Sequence, residues 1–285
     1  MTRKQLKQRM AFNFFRLVSL LVVSILFVIL GFILIKGLGV VNWQFLTSMP
    51  KDGMTGGGIY PAIIGTLCLI LGSMIFAFPV GVLSAIYMNE YLKETFLKKF
   101  IRTMTNNLAG IPSIVFGLFG MALFVNALKF GDSILAGSLT LGLMVLPVII
   151  RTTEEALKSV DDSLRIGSYA LGASRLQTIR RVVLPVAFPN ILTGLILSIG
   201  RVSGETAPIL FTVAVYFLPK LPSGIFDQVM ALPYHLYVLT TSGTNVTESR
   251  PMAYGTACVL ILMVLILNML ANLVRRVAGK KTKMN

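Results

Sequence analysis

Long apolar stretches separated by shorter polar segments set the pattern of this chain. Six of these stretches are long enough to cross about 30 Å of hydrocarbon at about 1.5 Å per residue. Because backbone groups in lipid must pair within their own segment, each stretch is predicted to be a helix. The pattern therefore predicts an all-α membrane protein with six transmembrane helices, at Leu17–Ile35, Ile59–Met88, Asn107–Leu128, Ser133–Ile150, Val186–Gly204 and Met252–Val274.

The composition agrees with this prediction and adds an orientation. Of the 285 residues, 55% are hydrophobic and only 13% are charged, which is typical of a polytopic membrane protein. The net charge of +15 does not indicate nucleic-acid binding, because 20 of the 26 Lys and Arg residues flank apolar runs. They lie in the N-terminus through Arg16, residues 89–106, residues 151–185 and the tail from Arg275. The positive-inside rule places these segments, and both termini, in the cytoplasm.

The sequence shows no motif for catalysis, metal binding or nucleotide binding. Cys68 and Cys258 lie inside apolar runs, without disulfide or metal-ligand spacing. His235 is the single histidine and has no ligand-spaced neighbours, so we interpret it as structural. The pair Gly279-Lys280 lacks the earlier glycine of a Walker loop, so this chain is predicted not to hydrolyse ATP.

Small residues recur every four positions in the second predicted span, at Ser73, Ala77 and Gly81. Such a stripe lets another helix approach closely, so it predicts a packing seam. The alternative is that small residues are simply common in membrane helices.

The polar interruption at residues 151–185 carries its own helix signals. Capping-box patterns start at Thr152 and Ser174, and Asp161 offers a side-chain acceptor for another helix start. Gly172 is suited to a left-handed helix end. We therefore predict a structured cytoplasmic hairpin that receives force from a partner protein. The alternative is an amphipathic hairpin that lies on the membrane without a partner.

The fifth predicted span carries charge into apolar surroundings. Arg201 lies 16 residues beyond Pro185, or about 24 Å along a helix, so in the outer half of the bilayer. Glu205 follows on the same helix face, and Pro208 is predicted to break the helix. Ionisable groups in membranes usually face a water-filled path or each other. Arg201, Glu205 and Thr206 are therefore candidates for an anion path, the alternative being an ion pair that locks the helix.

The cytoplasmic hairpin resembles the loop of ABC-importer permeases. The resemblance rests on Leu171-Gly172-Ala173 and Val182-x-Leu184-Pro185, while Ile166-Gly167-Ser168 replaces the family's usual Glu-Ala-Ala. It implies the type I ABC importer permease fold, with coupling helices between the fourth and fifth spans that dock in a cleft of an ATPase subunit. The implied coupling residues are Ser168, Leu171, Gly172, Ala173, Ser174, Leu184 and Pro185.

Further segments narrow the resemblance to the PstA family of phosphate-importer permeases, from about Trp43 to the tail. They are Gly57–Ile63, Leu108–Val115, Leu146–Ala156 and Gly204–Pro208. The family implies a heterodimer with a sister permease, two copies of a cytoplasmic ATPase and an extracytoplasmic phosphate-binding protein, all at the bacterial inner membrane. ATP and Mg²⁺ would be bound by the ATPase, and this chain would hold no cofactor or metal.

These inferences predict a permease subunit that forms half of a phosphate path and transmits ATPase motion through its hairpin. Three regions are expected: residues 1–58 with the first span, a permease core at 59–274, and a basic tail at 275–285. A secondary transporter is the first rival, but it should show an inverted repeat and midplane carboxylates. A membrane sensor or scaffold is the second, but it would not need Arg201 in the membrane.

Overall fold

The computed structural model describes residues 3–242 and 246–284, so the extreme ends of the two predicted cytoplasmic tails lie outside the described residues. Within this part, short strands β1 (Pro50–Lys51) and β2 (Gly56–Gly57) pair antiparallel and the rest is mainly helical. The helices are α1 (Arg3–Leu38), α2 (Trp43–Thr47), α3 (Tyr60–Ile86), α4 (Phe96–Ala109), α5 (Ser113–Gly120), α6 (Ile134–Lys158), α7 (Asp162–Ala170), α8 (Arg175–Thr178), α9 (Leu184–Gly204), α10 (Ala207–Leu210), α11 (Leu232–Thr241) and α12 (Val246–Met284). Wider π-turns at Tyr87–Tyr91, Met121–Ala127 and Ile179–Val183 continue α3 and α5 and join α8 to α9.

Within residues 3–242 and 246–284, five helical segments are long and apolar enough to cross a membrane, and a bent pair makes a sixth if its two limbs count together. The all-α membrane architecture predicted from the sequence is therefore confirmed. The five segments are Lys7–Leu38, Tyr60–Tyr91, Ile134–Lys158, Arg175–Gly204 and Thr247–Gly279.

The bent pair corrects the predicted third span. Phe96–Ala109 and Ser113–Ala127 meet at 101°, so the predicted start at Asn107 is wrong. The break follows from Pro112, which lacks an N–H and biases the residue before it away from helix. The limb after Pro112 is about 22 Å long at 1.5 Å per residue, which is short for a complete crossing.

The small-residue stripe of α3 lies against α6. Ser73 and Ala77 are fully buried. A β-carbon added at Gly81 would lie 2.6 Å from Cγ2 of Ile149 on α6, so only glycine allows this approach. The seam therefore holds two helices of the same chain together.

Residues 211–231 fold back over the start of α6. The N–H of Ser133 donates to the Thr212 carbonyl at 2.9 Å, and that of Ile134 to the Asp227 carbonyl at 2.9 Å. Ile209 and Val213 are buried against the central core.

Two buried clusters mark the opposite ends of the bundle. One, here called the loop end, joins α2, the loop before α3, α11 and the start of α12, and includes Phe45, Met54, Ile59, Leu232, Leu239 and Met252. The other, here called the hairpin end, lies where α6 and α9 meet and consists of Ala156, Leu157, Val160, Val183, Ala187 and Ile191. Helix α9 runs from the hairpin end towards the loop end, so it connects the predicted hairpin to the region of Arg201 and Glu205.

Candidate coupling hairpin and substrate path

The tip of the polar hairpin is built by local capping interactions. The Asp161 carboxylate accepts a hydrogen bond from the Ser163 N–H at 2.8 Å and starts α7, and this bond lowers the pKa of Asp161. Helix α7 ends at Ala170, and Gly172 follows it with a φ of 81°, in the left-handed region that favours glycine. Ser174 then starts α8 in a reciprocal capping box with Gln177. These three predicted signals are confirmed.

The predicted helix start at Thr152 is wrong. Helix α6 continues without interruption to Lys158. The Thr152 hydroxyl donates to the Val148 carbonyl at 2.8 Å, one turn back in the same helix, and so does not cap a new one. The fourth span therefore runs directly into the hairpin.

The helix on the return side is also longer than predicted. It continues from Arg175 to Gly204, with the π-turn at Ile179–Val183 and with Pro185 inside it. Within that turn, the Leu184 N–H donates to the Ile179 carbonyl. The wider turn comes just before Pro185, which has no N–H to donate. The hairpin tip and the fifth span thus form one continuous element.

The candidate coupling residues fall into two places. Ser168, Leu171, Gly172, Ala173 and Ser174 lie together at the tip, where the Ala173 N–H donates to the Ser168 carbonyl at 3.2 Å. Leu171 is 90% exposed there, an apolar side chain without cover from this chain. The structure does not bring Leu184 and Pro185 to the tip.

Leu184 and Pro185 instead line a groove on the side of the bundle, between α3, α9 and α12. Leu184 also packs against the buried cluster of the hairpin end.

Glu90 and Arg165 form a buried ion pair that the sequence reasoning missed. Glu90 lies in the π-turn after α3, and Arg165 lies in α7. An Nη2 atom of Arg165 donates to Oε1 of Glu90 at 2.9 Å, and the two side chains are 14% and 7% exposed. Arg165 also donates to the carbonyls of Val160 and Leu157, both at 2.8 Å. The available signal in the sequence was Glu90 itself, an acidic residue at the end of an apolar span.

A second arginine ties the other side of the hairpin to the same turn. The Arg175 guanidinium donates to the Glu90 carbonyl oxygen and lies 4.9 Å from the centre of the Tyr91 ring. Helices α7 and α8 are thus both anchored to the end of the second span.

The candidate substrate path lies near the loop end of α9. Helix α9 ends at Gly204, and Glu205 is already extended, with φ −77° and ψ 130°. Nε of Arg201 lies 3.6 Å from Oε1 of Glu205, and these side chains are 35% and 18% exposed. Thr206 follows at the bend before α10, and Pro208 stands in the first turn of α10. The three candidate path residues therefore lie close together in the chain, but the prediction that Glu205 shares a helix face with Arg201 is wrong, because the helix ends at Gly204.

The Arg201 guanidinium is poorly satisfied. Within residues 3–242 and 246–284, it makes no hydrogen bond of 3.5 Å or less, and the contact with Glu205 is its one ion pair. Glu205 itself borders a small apolar space lined by Thr66, Leu141 and Pro233. A guanidinium has five donors in a planar fork, so it could bind two oxygens of one anion.

Comparison with known proteins decides the family. Residues 77–284 match the family described as binding-protein-dependent transport system inner membrane component. The chain belongs to this family of ABC-importer permease subunits. The permease is 33% identical to a probable ABC transporter permease protein, YqgI of Bacillus subtilis (strain 168), over 99% of both chains. It is 36% identical to the phosphate transport system permease protein PstA of Mycobacterium leprae (strain TN), over 98% of this chain and 92% of that one.

Solved structures agree on the fold. The permease resembles a chain of a bacterial alginate ABC transporter in complex with a pentasaccharide-bound periplasmic protein, at a TM-score of 0.65 and 17% identity, over 96% of this chain and 98% of that one. It also resembles a chain of the inward-facing MetNI methionine ABC transporter, at a TM-score of 0.59 and 19% identity, over 78% and 94%. The permease thus has the type I ABC importer fold.

Proposed function

We propose that this permease forms half of the translocation path of an ATP-driven importer of inorganic phosphate. It would pair with a sister permease, two copies of a cytoplasmic ATPase that bind ATP and Mg²⁺, and an extracytoplasmic phosphate-binding protein. Relatives that span most of the chain are named phosphate transport system permease proteins, which supports this substrate. The hairpin end and both termini would face the cytoplasm, as the distribution of Lys and Arg indicates.

The Arg201 guanidinium is the observation that carries the proposal. Phosphate bears between one and two negative charges at neutral pH, so an apolar passage without a cation would be prohibitive. Arg201 lies at the end of a span, one-third exposed and without hydrogen bonds from the described protein, so it can offer its fork to a passing oxyanion. Glu205 would orient Arg201, or accept a hydrogen bond from a protonated phosphate oxygen and so disfavour sulfate, which has no such donor.

The hairpin would transmit the motion of the ATPase. The tip presents the exposed Leu171 beside the rigid corner at Gly172, which suits docking in a cleft of the partner. The helix that starts behind this tip at Arg175 continues to Gly204, three residues beyond Arg201. At 1.5 Å per residue it is about 45 Å long, so a displaced tip would tilt the helix that carries Arg201.

Reconstitution tests this function. The permease, its sister permease, the ATPase and the binding protein are placed in vesicles, and uptake of radioactive phosphate is compared with that of sulfate and arsenate. We expect uptake that requires ATP and the binding protein, is blocked by vanadate and favours phosphate over sulfate. A preference for sulfate would contradict the proposal that phosphate is the substrate, and uptake without ATP would contradict the proposal that ATP hydrolysis drives transport.

A further inference from the structure

A large apolar groove opens beside the hairpin end. It has a volume of about 910 Å³ and lies between α3, α9 and α12. Its walls are aliphatic and aromatic side chains such as Val82, Phe188, Leu273, Val274 and Val277, and several of these are exposed in this chain. This volume is in the range of pockets that hold small organic ligands. The groove is therefore suited to an extended apolar group.

One arginine lines the groove, and a second lies beside it in an adjoining pocket. Arg180 lines the groove and also lines the adjoining polar pocket of about 370 Å³, which it shares with Arg181 and Gln177. Both arginines are exposed. Among residues 3–242 and 246–284, neither has an acidic side chain within 4.0 Å. The site thus combines an apolar channel with two uncompensated positive charges.

We propose that this groove binds an anionic phospholipid of the leaflet on the hairpin side. One acyl chain lies in the groove, and the phosphate of the head group contacts Arg180 and Arg181. Basic pockets between transmembrane helices are a known way to recognise anionic head groups. The charge pattern selects the occupant, because an apolar helix of a partner protein would leave two arginines unpaired at the membrane surface.

The position of the site suggests what the lipid does. Arg180 and Arg181 belong to the π-turn at Ile179–Val183, which joins the hairpin to α9. An anion held on both guanidiniums would brace this turn against α3 and α12. Anionic lipid would then stiffen the element that connects the hairpin tip to the fifth span.

Lipid retention by the purified complex provides the test. Complexes are reconstituted in nanodiscs of phosphatidylcholine with a minor fraction of phosphatidylglycerol, extracted, and analysed by native mass spectrometry. We expect enrichment of phosphatidylglycerol on this permease. The double variant R180Q/R181Q should weaken it about 30-fold, from the attraction of two basic residues to an anionic surface. Val274→Trp, which fills the groove, should release the lipid while both arginines remain.

Matched controls separate this site from general surface charge. Lys99→Gln with Lys158→Gln removes two exposed charges outside the groove, and Leu270→Trp places the same side chain on α12 outside its walls. Neither control should change lipid retention. Equal retention in the groove variants and the controls would overturn the proposal, as would cross-linking of the variant Val277→Cys to the sister permease. If R180Q/R181Q does not assemble, Val274→Trp alone decides.

Discussion

Two acid–arginine pairs, at opposite ends of the bundle, have very different surroundings. Glu90 and Arg165 approach to 2.9 Å and are almost completely buried, and the arginine also donates to two carbonyls. Arg201 and Glu205 are 3.6 Å apart, more exposed, and the arginine makes no hydrogen bond within the described residues. In the first pair, groups of the protein accept hydrogen bonds from the arginine. In the second pair, the guanidinium N–H donors of Arg201 have no such acceptors within the described residues.

This difference separates a structural charge from a functional one. A buried ion pair is tolerated when its geometry is good and additional hydrogen bonds satisfy the remaining donors, as they do around Arg165. Donors left without protein partners beside a partly exposed path are available to a ligand. We therefore expect changes at Glu90 to affect the stability of the hairpin, and changes at Arg201 to affect transport but not stability.

The largest effect is expected for Glu90→Ala. Removal of one member of a buried pair leaves the other charge without compensation, which costs about 3–5 kcal/mol. The free energy of unfolding should fall accordingly when a denaturing detergent is titrated into the purified permease and helix content is followed by circular dichroism. Glu155→Ala is the control, because Glu155 pairs with Arg151 and both of these side chains are exposed, at 65% and 68%. Equal effects of both variants would mean that the Glu90–Arg165 pair does not anchor the hairpin.

Arg201→Ala should reverse this pattern. The variant loses a charge-assisted, bidentate contact with phosphate, so we expect ATP-driven uptake to fall by about 100-fold. Assembly of the complex and its detergent unfolding should stay close to those of the unchanged protein. Arg201→Lys should recover part of the uptake, because an ammonium keeps the charge but not the planar fork.

Two outcomes would show that Arg201, like Arg165, has a structural role and not a role in transport. One is near-normal phosphate uptake by Arg201→Ala, and the other is a loss of stability as large as that of Glu90→Ala. Lys220→Ala is the matched control, since Lys220 is an exposed cation in the loop that follows α10.

The same comparison explains what the sequence could predict. The caps at Asp161 and Ser174 and the turn at Gly172 were predicted because each depends on residues within three positions of one another. The Glu90–Arg165 pair joins positions 75 residues apart, and no local pattern in one sequence encodes such a contact. The adjacent Arg201 and Glu205 could be singled out, because charge is rare in apolar sequence.

The errors in the helix boundaries have related causes. The third span was predicted from hydropathy and was therefore extended across Gly110 and Pro112, where the chain bends sharply. At Pro185 the opposite happened: the proline indicated a helix end, but the π-turn before it lets the helix continue. In both cases the backbone geometry around one proline decides whether the helix continues, and the average hydropathy of a segment carries no information about that geometry.

Gly172→Val should have a smaller effect, confined to coupling. A β-branched residue at a φ of 81° is strained by about 1–3 kcal/mol, although no atom lies within 4 Å of the new β-carbon. The tip should distort, so the ATPase would still hydrolyse ATP while phosphate uptake per ATP falls. Gly167→Ala is the control, because Gly167 lies inside α7, also with open space around it. Unchanged uptake per ATP in Gly172→Val would count against the hairpin as the coupling element.

The smallest effect concerns a buried group that belongs to neither pair. His235 on α11 is buried at the loop end, and neither ring nitrogen has a hydrogen-bond partner within the described residues. Burial lowers the pKa of His235 from 6.5 to about 4. Because the unfolded chain then binds more protons below pH 6.5, stability is full above pH 6.5 and falls as the pH drops towards 4. Between pH 6.5 and 5.5 the loss should be about 1 kcal/mol, and His235→Leu should remove this part of the pH dependence. Detergent unfolding of both proteins at these two pH values measures the difference, and an identical pH response in the Leu variant would show that His235 is not the titrating group.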